Sequence, residues 1–223
     1  LEGYESSQRA KPNYCYYYRQ FRQGDYLCLQ YWFLYAYNDW AAGFGGFNDH
    51  EGDWESIQLF FRASRGGHYE ERPAYITYLG HESRITKPWN HPDVTKQGNH
   101  PHVFVAAGSH ASYPEAKAYP ILDLFDLVDY ATGDERTLDH TEWRTRIDLS
   151  EVPWLTSFRG SWGTRYWLPL EWLRKSLGRV VASIPGEISL PGVSAPRGPQ
   201  FGDAGSVRES WGSPVPFSGV DSL

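Results

Sequence analysis

Residues 48–55, with the sequence NDHEGDWE, carry the densest set of potentially reactive side chains in this protein. They combine one imidazole with four carboxylates. Asp53 and Glu55 are two positions apart, so a β-strand would point both side chains to the same face. Two like charges on one face repel unless a cation or a basic side chain lies between them. His50 precedes this pair, in an expected turn, and can fold over it.

Two further side chains extend this cluster into a candidate divalent-metal site. Asp39 follows a strongly apolar segment, and antiparallel pairing of segments 26–37 and 54–61 would bring it to the same end of the sheet. Imidazole and carboxylate ligands, completed by water, suit Ca²⁺, Mg²⁺ or Mn²⁺, and Zn²⁺ fits less well. The predicted metal ligands are Asp39, His50, Asp53, Glu55 and His102. The alternative is a solvated acidic turn with a structural histidine.

A second group of polar residues, GSHASYP at 108–114, supplies candidates for acid–base chemistry. His110 is a candidate general acid or base because imidazole titrates closest to neutral pH, and Glu51 is the carboxylate candidate. Ser109 and Ser112 flank His110, which suggests a serine nucleophile. Catalytic partners usually meet in space rather than in sequence, however, so a structural role for these residues is the simpler interpretation.

Composition favours strands as the elements that position these residues. Aromatic residues make up 17% of the chain, and 22 glycines and 15 prolines provide frequent turns. We therefore predict an all-β fold with minor α content: a β-sandwich of two antiparallel sheets with a few short helices and long loops. Segments 26–37 and 54–61 are predicted strands. Helices are predicted at 121–130, between a proline and a glycine, and at 171–177.

The 223 residues are predicted to form one domain at 1–175, followed by a segment rich in Gly, Pro and Ser at 176–223. This segment either packs on the same domain or extends from it. The chain contains no methionine, which indicates a processed product or an excised piece of a longer protein. Cys15 and Cys28 either pair in an oxidising compartment or remain two free thiols.

Charge and hydropathy argue against nucleic-acid binding and against a transmembrane helix. Lys and Arg number 21 and Asp and Glu number 27, so the net charge is −6 and a nucleic-acid interface is not expected. The longest mostly apolar stretch, 26–37, is shorter than the roughly 20 residues of a transmembrane helix. Peripheral contact with a membrane stays open because tyrosine and tryptophan favour interfaces.

The motifs at 48–55 and 108–114 resemble those of the vacuolar protein sorting-associated protein sixty-two family. Phe158–Gly163 and Gly198-Pro199 are similar to that family's closing pattern, so the resemblance spans about residues 26–211. The first motif also resembles the heptapeptide Gly-His-Arg-His-Asp-Trp-Glu of the necrosis- and ethylene-inducing-peptide-like cytolysins. In this chain the heptapeptide's second histidine is replaced by Gly52.

The cytolysin resemblance implies a β-sandwich with a divalent cation at one end that helps to engage a membrane sphingolipid headgroup. It places the first histidine of the pattern on His50 and its aspartate on Asp53. The tryptophan falls on Trp54 and the glutamate on Glu55, and a further acidic ligand falls on Asp39. The implied setting is a secreted or cell-surface, toxin-like protein.

Three functions follow from these residues. The favoured one is a metal-dependent binding module for a glycan or lipid headgroup. The second is a metal-dependent hydrolase or lyase that uses Glu51 or His110 as a general base or acid. The third is a metal-stabilised structural domain of a larger protein.

Overall fold

The computed structural model describes residues 13–39, 49–80, 83–122, 127–133, 136–163, 197–202 and 205–223. The first five strands are β1 (Tyr14–Gln23), β2 (Tyr26–Asn38), β3 (His50–Arg62), β4 (Tyr75–Gly80) and β5 (Ser83–Pro88). Then follow β6 (Lys96–Gln97), β7 (His100–Pro101), β8 (Phe104–Val105), β9 (Ser112–Tyr113), β10 (Lys117–Leu122), β11 (Leu127–Ala131) and β12 (Trp143–Asp148). The short helices are a 3-10 turn (His140–Glu142), α1 (Pro153–Ser157), α2 (Glu209–Gly212) and α3 (Pro214–Ser218).

Six of these strands form one large sheet, in the order β12-β1-β2-β3-β4-β5. The pairs β6–β7, β8–β9 and β10–β11 form small two-stranded sheets. The predicted all-β fold with minor α content is confirmed. The large sheet is mixed, because β12 runs parallel to β1 whereas the other neighbours are antiparallel. None of the helices described here has the length and apolar character needed to cross a bilayer.

The long pair β2–β3 forms the centre of the sheet and carries the motif at its end. The two strands are antiparallel, with Tyr35 opposite Asp53 and Asn38 opposite His50. Nearly every residue of β3 is buried, because side chains on both of its faces are covered by other parts of the chain. The end of β2 lies beside the start of β3 in space. The residues around positions 38 and 50 therefore meet at one edge of the core.

A row of polar residues crosses the large sheet and anchors the C-terminal segment at 205–223. The row runs in register over five strands and comprises Arg19, Gln30, Gln58, Thr77 and Thr86. The side-chain amides of the two glutamines both donate to the backbone oxygen of Ser210, at 2.6 and 2.8 Å. The hydroxyl of Thr86 donates to the backbone oxygen of Ser218 at 2.8 Å. These bonds hold the segment on the sheet, where Val215 and Val220 join the core.

One expectation about local structure is corrected, and one open alternative is resolved. The described parts of 121–130 are strand rather than helix: residues 121–122 end β10, residues 127–130 lie in β11, and the two strands pair antiparallel. In β11 the buried Asp129 alternates with the exposed Tyr130, which is strand periodicity. Cys15 and Cys28 are both free thiols, so no disulfide joins them. The helix predicted at 171–177 lies outside the described residues.

Candidate functional site

Asp53 is the centre of a buried polar cluster at the end of β2 and β3. Its side chain is nearly buried, with 9% of its surface exposed. Its Oδ2 accepts hydrogen bonds from Nδ1 of His110 at 3.0 Å and from the amide of Asn38 at 3.2 Å. Nε2 of His50 lies 3.7 Å from its Oδ1. The structure thus places one carboxylate between two imidazoles.

Gly52 explains how His50 reaches Asp53 although the two residues are three positions apart on a strand. In a regular strand, side chains at such a spacing point to opposite faces. Gly52 has φ +70°, which interrupts the pleat and which only glycine adopts without strain. Its α-carbon also packs directly on Trp162, since a Cβ at this position would lie 2.8 Å from the backbone oxygen of that residue.

His110 is held in place by a tight loop between β8 and β9. Its backbone N–H donates to the oxygen of Ala106, and its φ of +59° is the single positive value among the described non-glycine residues. The backbone N–H of Asp39 donates to the oxygen of Gly108, which joins this loop to the end of β2. The ring of Tyr35 stacks on the imidazole at a centroid distance of 4.0 Å. The ring orientation of His110 is therefore fixed from several sides.

A second buried carboxylate, Asp129, holds the same loop through hydrogen bonds. It is fully buried and accepts hydrogen bonds from the hydroxyls of Ser109 at 2.8 Å and Tyr113 at 2.6 Å. Because charge-assisted hydrogen bonds are the strong ones, Asp129 fixes the residue that immediately precedes His110. The helix predicted over 121–130 would place Asp129 on a solvated face, whereas the structure buries it in β11.

The two carboxylates on this face of β3 differ in their preference for charge. Burial alone would raise the pKa of Asp53, but the hydrogen bonds and charges of His110 and His50 outweigh it and lower the pKa to about 2. Burial, followed by the charge of Asp53, raises the pKa of Glu55 well above its usual range, and Arg208 opposes this shift only in part. Asp53 is therefore the carboxylate of the pair that more readily carries a negative charge.

The other residues predicted for the site lie at its rim or away from it. Asp39 is exposed directly after β2, and Glu51 is exposed on β3 opposite Tyr37. His102 is exposed after β7, where its backbone bonds to Thr95 and Tyr78 rather than to the Asp53 cluster. Sequence reasoning missed the contributions of Asn38 and Tyr35, for which no local motif exists.

The described side chains provide donor types that suit a divalent ion, but not a preassembled site. Within the described ranges, no group of three or more His, Cys, Asp or Glu side chains is arranged to hold a metal. The two oxygens of Asp53 face nitrogen atoms of His110, Asn38 and His50. In this arrangement the cluster is a hydrogen-bonded network, and the metal site remains a prediction.

Comparisons with known proteins give limited similarity. No protein-family profile matches the chain, and no curated protein matches it, so the resemblance to the vacuolar protein sorting-associated protein sixty-two family gains no support. Solved structures similar to the chain belong to the necrosis- and ethylene-inducing toxin fold. One is the non-toxic HaNLP3 protein, at 15% identity and TM-score 0.33, covering 42% of this chain and 40% of that one.

A second similar structure is NLPPya in complex with glucosamine, at 11% identity and TM-score 0.34, covering 44% of this chain and 43% of that one. A third is necrosis- and ethylene-inducing protein 2 from the causal agent of cocoa's witches' broom disease. It has 12% identity and TM-score 0.38, with 60% of this chain and 50% of that chain covered. The chain thus spans about half or less of the length of these structures, and identities this low do not establish a shared family.

Proposed function

We propose that this protein is a β-domain that binds a hydroxyl-rich ligand, a glycan or the headgroup of a lipid, through the Asp53 cluster. The observation that carries the proposal is the geometry of His110. Its Nδ1 is bonded to Asp53, its ring is stacked on Tyr35, and 19% of its side chain is exposed. Within the described part of the chain, the ring nitrogen left for a ligand is Nε2.

A fixed imidazole with charged groups nearby is suited to sugar hydroxyls. Because His110 is already ordered, a ligand that bonds to Nε2 does not have to immobilise the ring, which lowers the cost of binding. The exposed carboxylates of Asp39 and Glu51 lie at the same end of β2 and β3 and accept hydrogen bonds from hydroxyl groups. Glycans and lipid headgroups of this kind are displayed at cell surfaces, so the proposed location is extracellular or at the cell surface.

The participation of a divalent ion is a separate part of the proposal. The types of ligand atom at His50, Asp53 and Asp39 support it, and the other predicted ligands are Glu55 and His102. The ion would neutralise the acidic end of the sheet and offer coordination positions to hydroxyl oxygens. Binding measured with and without EDTA decides this part: equal affinity in both conditions would remove the metal and leave the His110 site intact.

A direct test compares two histidine variants. His110→Ala removes the proposed ligand contact, whereas His68→Ala, at an exposed histidine after β3 and outside the cluster, is the matched control. We expect His110→Ala to weaken binding at least tenfold, and His68→Ala to leave it unchanged. The probes are glucosamine, mannosamine and a glycan array, together with phosphatidylcholine vesicles with and without glycosphingolipid. Equal binding by both variants and the unmodified protein would refute the proposal.

A second candidate function is general acid–base catalysis, which the 3.0 Å bond between Asp53 and His110 favours. A carboxylate that orients an imidazole through Nδ1 leaves Nε2 to exchange protons with a substrate. Glu51 is the second predicted catalytic group, and it is exposed on the neighbouring part of β3. Incubation with glycan or ester substrates tests this function: turnover that His110→Ala abolishes would support it, and its absence would leave binding as the function.

A further inference from the structure

A separate cavity of about 460 Å³ opens beside the first strand of the sheet. Its walls include Arg19 from β1, Asp148 and Ser150 at the end of β12, Thr156 from α1 and Trp211 from α2. Arg19 pairs with Gln30, whereas Asp53 pairs with Tyr35. The two regions are therefore five residues apart along β2, or about 17 Å, and they share no side chain.

Arg19 is unusual because its half-buried cation has no partner of opposite charge among the residues that the structure describes. Its guanidinium lies 3.9 Å from the ring centre of Trp211 and 4.6 Å from that of Phe21. Within the described ranges it makes no ion pair and no hydrogen bond. Burial lowers the pKa of Arg19 to about 10, which still leaves the group charged at neutral pH. A guanidinium offers five N–H donors in a fixed plane, and these donors remain for water or a ligand.

Contacts within the fold hold the side chain of Arg19 in place, unlike an arginine on an open surface. It begins the polar row of the sheet, whose two glutamines hold the backbone of Ser210. Those bonds place the next residue, Trp211, over the guanidinium. The rings of Trp211 and Phe21 therefore restrict the movement of the guanidinium, and an ordered guanidinium favours bidentate recognition of a carboxylate.

Other residues that line the cavity present hydrogen-bond acceptors. The hydroxyl of Ser150 donates to Oδ1 of Asp148 at 2.7 Å, and that of Thr156 donates to the backbone oxygen of Pro153 at 3.1 Å. Because both hydroxyl hydrogens are used inside the protein, their oxygens are left to accept bonds. The lining of the cavity thus combines the donors of Arg19 with acceptor oxygens of Ser150, Thr156 and Asp148.

We propose that this cavity binds a small hydroxylated carboxylate, such as a sugar acid, at a site separate from the Asp53 cluster. The carboxylate pairs with the guanidinium of Arg19 through two parallel hydrogen bonds. The hydroxyl groups of the ligand donate to the oxygens of Ser150, Thr156 and Asp148. The cavity volume falls within the range of about 300–1,000 Å³ typical of small-molecule sites.

The experiment uses D-gluconate and sorbitol, which carry the same hydroxyl chain and differ in whether one end is a carboxylate or an alcohol. Isothermal titration calorimetry is expected to detect gluconate binding and at least tenfold weaker sorbitol binding. Arg19→Gln should weaken gluconate binding at least tenfold. Arg19→Lys keeps the charge but loses the planar fork, so a several-fold loss is expected. Thermal melting of each variant confirms that it folds.

Two further variants make the outcomes distinct. Thr156→Val should weaken gluconate binding several-fold without changing the carboxylate contact. His110→Ala should leave gluconate binding unchanged, so a failure of the glycan proposal and a failure of this one are separable. Equal affinity for sorbitol and gluconate would overturn the inference. So would an unchanged affinity in the folded Arg19→Gln or Arg19→Lys variant.

Discussion

Replacement of Asp53 by asparagine should destabilise the protein in a pH-dependent way. The carboxylate accepts hydrogen bonds from His110 and Asn38 and lies close to His50. These contacts lower its pKa from 3.8 to about 2 in the folded state. A difference of nearly two units, at 1.36 kcal/mol per unit, corresponds to about 2 kcal/mol of stability at neutral pH. The side chain is nearly buried, so solvent screening reduces this figure little.

The sign of the pH effect follows from the direction of the shift. A carboxylate whose pKa is lowered by folding contributes its full stabilisation above its unfolded pKa. That contribution disappears as pH falls through the range from about 4 to about 2. Asparagine cannot ionise, so the Asp53→Asn variant lacks this term at every pH. The difference in free energy of unfolding between the two proteins should therefore shrink by about 2 kcal/mol between pH 7 and pH 2.

Urea unfolding followed by tryptophan fluorescence measures this difference. The titrations are run in EDTA at pH 7, 5, 3.5 and 2.5, so that a bound ion does not contribute. Asp25→Asn is the matched control, because Asp25 is exposed in the turn between β1 and β2; it should change stability little at any of these pH values. A destabilisation by Asp53→Asn that stayed constant from pH 7 to pH 2.5 would refute the reasoning.

Three further changes test the packing around the site. Gly52→Ala should lower the melting temperature and cost at least about 1 kcal/mol in urea unfolding, because its φ is +70° and its Cβ would lie 2.8 Å from Trp162. Asp129→Ala should cost about 3 kcal/mol in urea unfolding, because two hydroxyls lose their acceptor in the core. With Ellman's reagent, the half-exposed Cys15 should react in the native state. Cys28 should react only on unfolding, because burial raises its pKa well above its usual range.

The pairing of the two central strands is the part of the site that sequence periodicity could predict. The apolar segment 26–37 predicted a strand, and the structure gives β2 over Tyr26–Asn38. The spacing of Asp53 and Glu55 placed both on one face of β3, where both are buried. These predictions succeed because a strand's two-residue period depends only on neighbouring residues.

The contact between Asp53 and His110 could not be derived in the same way. The two residues are 57 positions apart, and the strand pair β8–β9 that carries the loop has two residues in each strand. Such short strands leave almost no periodic signal. The left-handed backbone of His110 also has no marker in the sequence, since histidine adopts this conformation far less readily than glycine.

Asp129 shows how a coincidence of spacing can conceal a buried charge. Aspartates at 123, 126 and 129 repeat every three residues, which imitates the polar stripe of a helix. In the structure, residues 127–131 form a strand, and Asp129 points into the core toward Ser109 and Tyr113. Burial of a carboxylate is favourable only where hydrogen-bond donors are positioned to bond to it. Those donors come from residues 16 and 20 positions earlier in the chain, so composition within the segment could not reveal them.

The two buried carboxylates act on consecutive residues of one loop. Asp129 holds the side chain of Ser109, and Asp53 holds that of His110, so the loop is fixed between the β10–β11 hairpin and the central sheet. If either anchor is lost, the remaining one no longer determines the direction of the imidazole. Ligand binding through His110 should therefore depend on Asp129, which lies beneath the loop, as well as on Asp53. The strand pair β10–β11, found in place of the predicted helix, is thus part of what positions the candidate site.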